Sequence, residues 1–254
     1  MAKFEETAKV IRQEQIGDGI FDMWIQTCNI AEHAVAGQFI SVYTKDASKL
    51  LPRPISICEV SGQKLRIVYR IAGGGTKEFS GYKADDDIRI IGPLGNGFPV
   101  IEGRNPILIG GGIGIPPMLE LAKRIFGEKE IVLGYRNQAT FLDGELKAFG
   151  NVTIATDDGS LGTHGTVIDA IKANNIKGDI IYACGPTPML RAVKAYAEEN
   201  NIEAYVSLEE KMACGIGACL ACVCNTKEID DHSKVHNARI CKDGPVFNAK
   251  EVDL

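Results

Sequence analysis

No apolar run in this chain approaches the roughly 18–20 residues that a membrane-spanning helix needs, so no membrane association is expected. The first fifteen residues, MAKFEETAKVIRQEQ, contain neither an apolar h-region nor a small-residue cleavage site, and they do not read as a secretory signal. Lysine and arginine are nowhere massed. The 28 basic residues lie scattered among 33 acidic ones, a net charge of −5, which makes nucleic acid a poor partner. Internal repeats and low-complexity tracts are lacking as well. These absences point to the cytoplasm, where structural disulfides are rare and clustered thiols usually signal metal or redox chemistry. What is present is 254 residues of ordinary globular composition, 45% hydrophobic and 24% charged, enough for one large or two modest domains.

Residues 18–100 read as all-β. GIFDMWIQTC, GQFISVYT, RPISICEV, KLRIVYR and DIRIIGP are short β-branched or aromatic segments separated by turns such as SGQK and KADDD. Strands at this spacing suggest a small closed barrel or sandwich, with an unclosed mixed sheet as the other possibility. From Asn105 onward strand patterns alternate with helical ones: PILIGGG, PPMLELAKRIF, EIVLGY, a short helical stretch near DGELKAF, NVTIATDDGS, GTVIDAIKAN, DIIYACGPTPML and AVKAYAEEN, closed by EAYVSLEE. That alternation implies a parallel sheet covered on both faces. The last forty-odd residues carry thiols and no long periodic element. The expected fold class is therefore α+β multidomain: an antiparallel β-barrel over 1–100, an α/β parallel-sheet domain over 101–208 and a small C-terminal domain over 209–254.

Glycine-rich turns mark the ends of several strands. GGGIGIPPM (110–118), with Gly111, Gly112 and Gly114, lies between a strand and a helix, where the backbone can approach a phosphate closely. It is not the G-x-G-x-x-G fingerprint, and a tight turn without ligand stays open. YACGPTPML (182–190) repeats the arrangement with Gly185 and Pro186, and TDDGSLGTHG (156–165) is a third strand end. Ligands of open α/β sheets bind beyond such ends. Asp157 and Asp158 would repel a 2′-phosphate and favour NAD over NADP, unless they are a solvated acidic turn. In the β region, RPISI (53–57), VYRIAGGGT (68–76) and GPLGNGF (92–98) stand out; Arg53 and Arg70 occupy strand positions where a pyrophosphate would be a suitable partner and a plain surface arginine is the alternative.

RPISI, a Gly-Thr loop, GGGIGIPPM and YACGPTPM, in that order, resemble the ferredoxin–NADP reductase superfamily over residues 5 to about 208. The resemblance implies an FAD-binding barrel followed by a nicotinamide-binding α/β domain. It also implies that Arg53, Pro54, Ile55 and Ser56 line the flavin, that Val68, Tyr69, Arg70, Gly75 and Thr76 continue that site, and that Cys184 lies beside the nicotinamide.

MACGIGACLACVC (212–224) puts four thiols within eleven residues. A zinc finger could use Cys219, Cys222, His232 and His236, but nine residues separate the pairs against roughly a dozen in the usual finger, and Cys214 and Cys241 are left unexplained. A thioredoxin-like dithiol at Cys219 and Cys222 would want a strand before it and a helix after it; neither is evident. Cys214, Cys219 and Cys222 are spaced C-x₄-C-x₂-C, with Cys241 nineteen residues on, which is the plant-type [2Fe–2S] spacing. Gly215, Gly217 and Ala218 keep the wrap around such a cluster free of bulk and let backbone N–H groups face sulfur. Cys224 reads as a packed or spare thiol, and Cys28 and Cys58 as core residues.

MACGIGACLACVC followed by CKDGPVF resembles, across the whole chain, the electron-transfer subunits of NAD-dependent (class 1B) dihydroorotate dehydrogenase. One departure is the segment VCNTKEIDDHSKVHNARIC, longer than is typical. The resemblance implies FAD, a [2Fe–2S] cluster and NAD as cofactors, and an FMN-containing catalytic subunit as partner in a two-plus-two heterotetramer for pyrimidine biosynthesis. It places no residue of this chain on the pyrimidine. Because the single-electron step needs the cluster near a surface, an apolar docking face near Ile216, Leu220 and Phe247 is expected. A stand-alone reductase for a ferredoxin or hydrogenase partner, and a zinc-bearing nucleotide sensor, are the competing readings.

Overall fold

Six strands rich in β-branched residues close on themselves. In the computed structural model, which describes residues 2–227, 229 and 234–254, β1 (Phe4–Gly17), β2 (Ile20–Gln26), β3 (Phe39–Val42), β4 (Arg53–Ser61), β5 (Lys64–Arg70) and β6 (Asp87–Leu94) form a closed antiparallel barrel in the order β1-β2-β5-β4-β3-β6. The first strand lies wholly ahead of the all-β stretch read from the sequence, residues 18–100. Its charged alternation, FEETAKVIRQEQ, hides one inward face on which Ala8 and Val10 are buried. Met23, Ile25, Ile40, Val42, Ile57, Leu65, Ile67, Ile88 and Ile90 fill the interior. Cys58 is buried as expected. Cys28 is not: it is exposed in the turn after β2, where its N–H donates to Glu6 Oε2 at 2.8 Å. The short helices α1 (Ile30–His33) and α2 (Gly74–Phe79) connect barrel strands.

The second unit follows the strand–helix alternation: β7 (Pro106–Gly111), α3 (Pro116–Arg124), β8 (Glu130–Tyr135), α4 (Asp143–Leu146), β9 (Asn151–Thr156), β10 (Thr163–His164), α5 (Val167–Ala173), β11 (Ile180–Cys184), α6 (Thr187–Glu199) and β12 (Glu203–Ser207). These strands are parallel, ordered β10-β9-β8-β7-β11-β12. The chain runs outward in one direction from β7 and in the other from β11, so the switch point lies between those neighbours, where a ligand crevice forms. The C-terminal segment holds β13 (Val223–Asn225), β14 (Asn237–Arg239) and β15 (Val246–Asn248). The last of these adds antiparallel to β12 as the seventh strand of the sheet.

Barrel and sheet are joined by polar contacts at low exposure. Arg66, 5% exposed on β5, donates in bidentate fashion to Asp22 (2.9 and 3.0 Å) and to Glu145 of α4 (2.6 and 2.9 Å), and also to Glu59 at 3.0 Å. From α3, Lys123 Nζ reaches Glu59 at 2.8 Å, and the buried Glu120 carboxylate accepts the Val60 N–H at 2.9 Å. Planar guanidinium geometry makes such forks strong and directional. Arg66→Met is expected to destabilise the protein by about 3 kcal/mol, because it leaves the buried Asp22 carboxylate with only Arg12, 3.9 Å away, to balance it; a urea unfolding midpoint reads this. The hydrogen bond from Arg66 holds the Glu145 carboxyl below its ordinary 4.5. Its contribution is therefore complete above that pH and lost as pH falls through the lower folded value. The stability difference between wild type and Glu145→Gln should shrink to nothing on acidification.

Candidate functional site

The barrel half of the site arises where two strands part. β4 pairs with β5 only as far as Ile57↔Ile67, whereas Arg53–Ser56 turn to pair with β3. The β4-facing backbone edge of Val68, Tyr69 and Arg70 is thereby left outside the ladder. Arg53, Pro54, Ile55 and Ser56 are all half-buried along the resulting cleft. The side chains of Val68 and Tyr69 point elsewhere. Both are buried, and the Tyr69 hydroxyl donates to Gln13 Oε1 at 2.7 Å, so only their backbone faces the cleft. Gly75 is packed under Arg53: a Cβ there would stand 2.1 Å from Arg53 Nε. Thr76 Oγ1 accepts the N–H groups of Ala72 (2.8 Å) and Gly73 (3.2 Å) and fixes the loop. Arg70 is exposed and reaches across to the sheet, with its Nη2 3.4 Å from where a Gly112 Cβ would be. Residues 53–56 thus lie beside the 75–76 loop and next to the freed edge of 68–70, and Arg70 brings that edge to the first glycine turn.

At the switch point the glycines of the two turns interlock. A Cβ on Gly114 would lie 2.3 Å from the Cys184 carbonyl oxygen, and one on Gly185 would lie 3.2 Å from Gly111 Cα. Pro186 lies beside Gly111 and opens α6. Cys184 ends β11, flanked by Gly110 on β7 and Ser207 on β12. Burial pushes its thiol up to about 12; the Glu209 charge adds to this, and a hydrogen bond with Ser207 works against it. This thiol is neutral at physiological pH. Asp157 and Asp158 are exposed beyond β9, where Asp158 accepts the Ser160 N–H (2.9 Å) and hydroxyl (2.6 Å) and so braces its own turn.

The four spaced cysteines fall into two pairs. Cys214 N–H donates to Cys219 Sγ at 3.5 Å, and Cys241 N–H donates to Cys222 Sγ at 3.5 Å. Among the described residues, no three Cys, His, Asp or Glu side chains gather as a single metal ion would require. Partial burial opposes charge on Cys214, yet the N–H groups of Ile216 (3.4 Å) and Ala218 (3.3 Å) and the Cys219 side chain hold its thiol below the ordinary range. Gly215 and Gly217 have φ of +69° and +92°, which lets the loop wrap; a Cβ on Gly217 would meet Lys242 at 2.9 Å. Cys222 therefore lies against Cys241. His236 Nδ1 lies 2.9 Å from the Lys227 carbonyl, and His232 lies outside the described residues. Cys224 is half-buried opposite Ala238, packed against the core as expected of a structural thiol.

Three groups here escaped the sequence reading. Asn96, inside the quoted GPLGNGF, accepts no special notice in one dimension; its Nδ2 donates to the carbonyls of Asp243 (2.9 Å) and Lys242 (3.3 Å), and its N–H donates to Gly244 (2.6 Å). Arg239 Nη1 reaches the Gly217 carbonyl at 3.3 Å while its Nε pairs with Asp243 at 3.1 Å, tying the first thiol loop to the segment after Cys241. Ser41, on β3, touches Gly215. An asparagine between two glycines was the available signal for the first; nothing local marks the other two. Phe247 must be removed from the expected docking face. It is 8% exposed, turned into the core with Cys222, Cys241 and Phe39, whereas Ile216 (46%) and Leu220 (51%) are exposed on the thiol loop. Asn96→Ala is expected to destabilise this region by about 1–2 kcal/mol, seen as faster amide exchange over Cys241–Gly244 with barrel amides unchanged.

Comparison with known proteins agrees with this layout. Residues 209–253 match the iron–sulfur cluster binding domain of dihydroorotate dehydrogenase B. The dihydroorotate dehydrogenase B (NAD(+)) electron transfer subunit of Listeria welshimeri is 43% identical over 97% of this chain and 98% of its own length. That of Caldanaerobacter subterraneus is 38% identical over 98% and 99%. Among solved structures, an NADH-dependent reduced ferredoxin–NADP oxidoreductase superposes with a TM-score of 0.87 at 29% identity, covering 98% of this chain and 90% of that one. A ferredoxin NADP+ reductase from Neisseria gonorrhoeae (TM-score 0.64, 16% identity, 78% of this chain and 92% of that one) shares the fold. Full-length identity at this level, together with the paired thiols beside a splayed barrel cleft, shows that the chain belongs to the family of electron-transfer subunits of dihydroorotate dehydrogenase B (NAD+).

Proposed function

We infer that this chain works as an oxidoreductase subunit: it receives electrons from a catalytic subunit that oxidises dihydroorotate and delivers them to NAD⁺, using a [2Fe–2S] cluster and FAD, in pyrimidine biosynthesis. The observation that carries the reading is the pairing of four thiols on a segment seated directly against the barrel strand that also pairs with Arg53–Ser56. When bound, a flavin exchanges both hydride and single electrons and an iron–sulfur cluster exchanges single electrons, so together they link a two-electron acceptor to a one-electron donor.

The residues fit these groups. The two thiol pairs would supply the four thiolates such a cluster needs, and N–H groups already directed at sulfur would stabilise thiolate charge. Cys214, Cys219, Cys222 and Cys241 would hold the cluster. Arg53 and Arg70 would neutralise a pyrophosphate at the mouth of the barrel cleft, with Pro54, Ile55, Ser56, Gly75, Thr76 and the backbone of Val68 and Tyr69 along it. Gly111, Gly112, Gly114, Gly185 and Pro186 would admit the dinucleotide at the switch point, where Cys184, held neutral, would lie beside the nicotinamide without adding charge. The role of this protein matter is orientation and exclusion of water; it contributes no acid–base group to the pyrimidine. Ile216 and Leu220 would dock the FMN-bearing subunit in a two-plus-two heterotetramer. All eight cysteines are free, which suits the reducing cytoplasm; no helix among the described residues is long and apolar enough to cross a membrane.

Purified anaerobically, the chain should contain two irons, two sulfides and one FAD per chain, and a rhombic paramagnetic resonance signal on reduction; zinc in place of iron would remove the reading. Cys222→Ser should lose the iron while Cys224→Ser keeps it. Leu220→Asp should abolish co-elution with the FMN subunit in gel filtration and lower dihydroorotate:NAD⁺ activity at least tenfold, with NADH oxidation by an artificial acceptor unchanged. A chain that reduced NAD⁺ no better with the catalytic subunit than without it would instead be a stand-alone reductase.

A further inference from the structure

Ser41 is 2% exposed, and its Oγ has no hydrogen-bond partner among the described residues. Strand alternation explains where it points. Ile40 and Val42 face the barrel core, whereas Phe39 packs in the same core as Cys222 and Cys241, so the Phe39 and Ser41 side of β3 is the one covered by the thiol-bearing segment. There the hydroxyl meets Gly215, the residue after Cys214: a Cβ on Gly215 would stand 2.7 Å from Ser41 Oγ. The loop thus passes the hydroxyl with no side chain between them. Just beyond, the N–H groups of Ile216 and Ala218 are directed at Cys214 Sγ. Ser41 also pairs across the ladder with Pro54 of the flavin cleft, which puts it between the two redox sites.

We propose that Ser41 is a positioning residue of the electron-transfer site: its Oγ–H donates a hydrogen bond to the sulfur shell of the iron–sulfur cluster on the Cys214 side and raises the cluster's reduction potential. A donor directed at sulfur offsets negative charge, and the reduced cluster carries one charge more, so reduction becomes easier. This rests on the thiols being cluster ligands, as inferred above.

The test is a redox titration of the full chain, loaded with FAD and cluster, following the paramagnetic signal and the flavin absorbance together. Ser41→Ala is expected to lower the cluster midpoint until the reduced-to-oxidised ratio at fixed poise falls about tenfold, ~59 mV for a one-electron couple. Iron, sulfide and the flavin midpoint should match wild type, and Ser41→Thr, which keeps the hydroxyl, should restore the midpoint. An unmoved cluster midpoint in S41A, a shift confined to the flavin, loss of the cluster from S41A, or a threonine variant displaced as far as the alanine one would each overturn the proposal. Wild-type protein without iron and sulfide would remove the cluster reading itself, so the two failures are distinct.

Discussion

Four residues, Phe39–Val42, constrain most of what this protein can do. A strand buried on both faces must satisfy two different neighbours with one alternating sequence. Here Ile40 and Val42 complete the barrel interior, and Phe39 and Ser41 form the floor on which the thiol-bearing segment sits. One edge of the same strand pairs with Arg53–Ser56. The barrel cleft beside Arg53–Ser56 and the paired thiols are therefore held by one edge and one face of a single short element, so their separation is set by backbone geometry rather than by a flexible connection.

That seat is reinforced from two directions. Asn96 binds the backbone just after Cys241, and β15 stitches the end of the chain to β12, the strand beside Cys184. Movement of the segment would have to break main-chain pairing in the sheet as well as hydrogen bonds to the barrel. The remaining hinge, between barrel and sheet, is spanned by Arg66 and its three carboxylates. Their directional forks suit an interface that holds Arg70 of the barrel beside Gly112 of the first glycine turn. Packing alone would fix that alignment less sharply, because apolar contact has little angular preference.

Charge follows the same plan. Cys184 is kept neutral by burial at the end of β11, among the glycine turns, while Cys214 is held toward its charged form by N–H groups. Two cysteines of one chain are driven in opposite directions: full burial dominates at Cys184, and N–H groups outweigh partial burial at Cys214.

The thiol spacing was legible because a loop that wraps a small object is a local structure: glycines with positive φ and cysteines at fixed offsets are set within a dozen residues. The barrel strands and the strand–helix alternation were legible for a similar reason, since side-chain periodicity reports which face is buried. Burial that depends on distant segments was not. Cys28 looked like a core residue from its apolar run but ends in a turn, and Phe247 looked like a docking residue until β15 folded it inward. The opening strand was masked by charges on its outward face. The sequence by itself determined the class of chemistry, through residues whose spacing the backbone cannot alter. Only the tertiary structure decided which glycines meet across the switch point and that Ser41 lies against the thiol loop, because each of those contacts joins residues 70 or more positions apart.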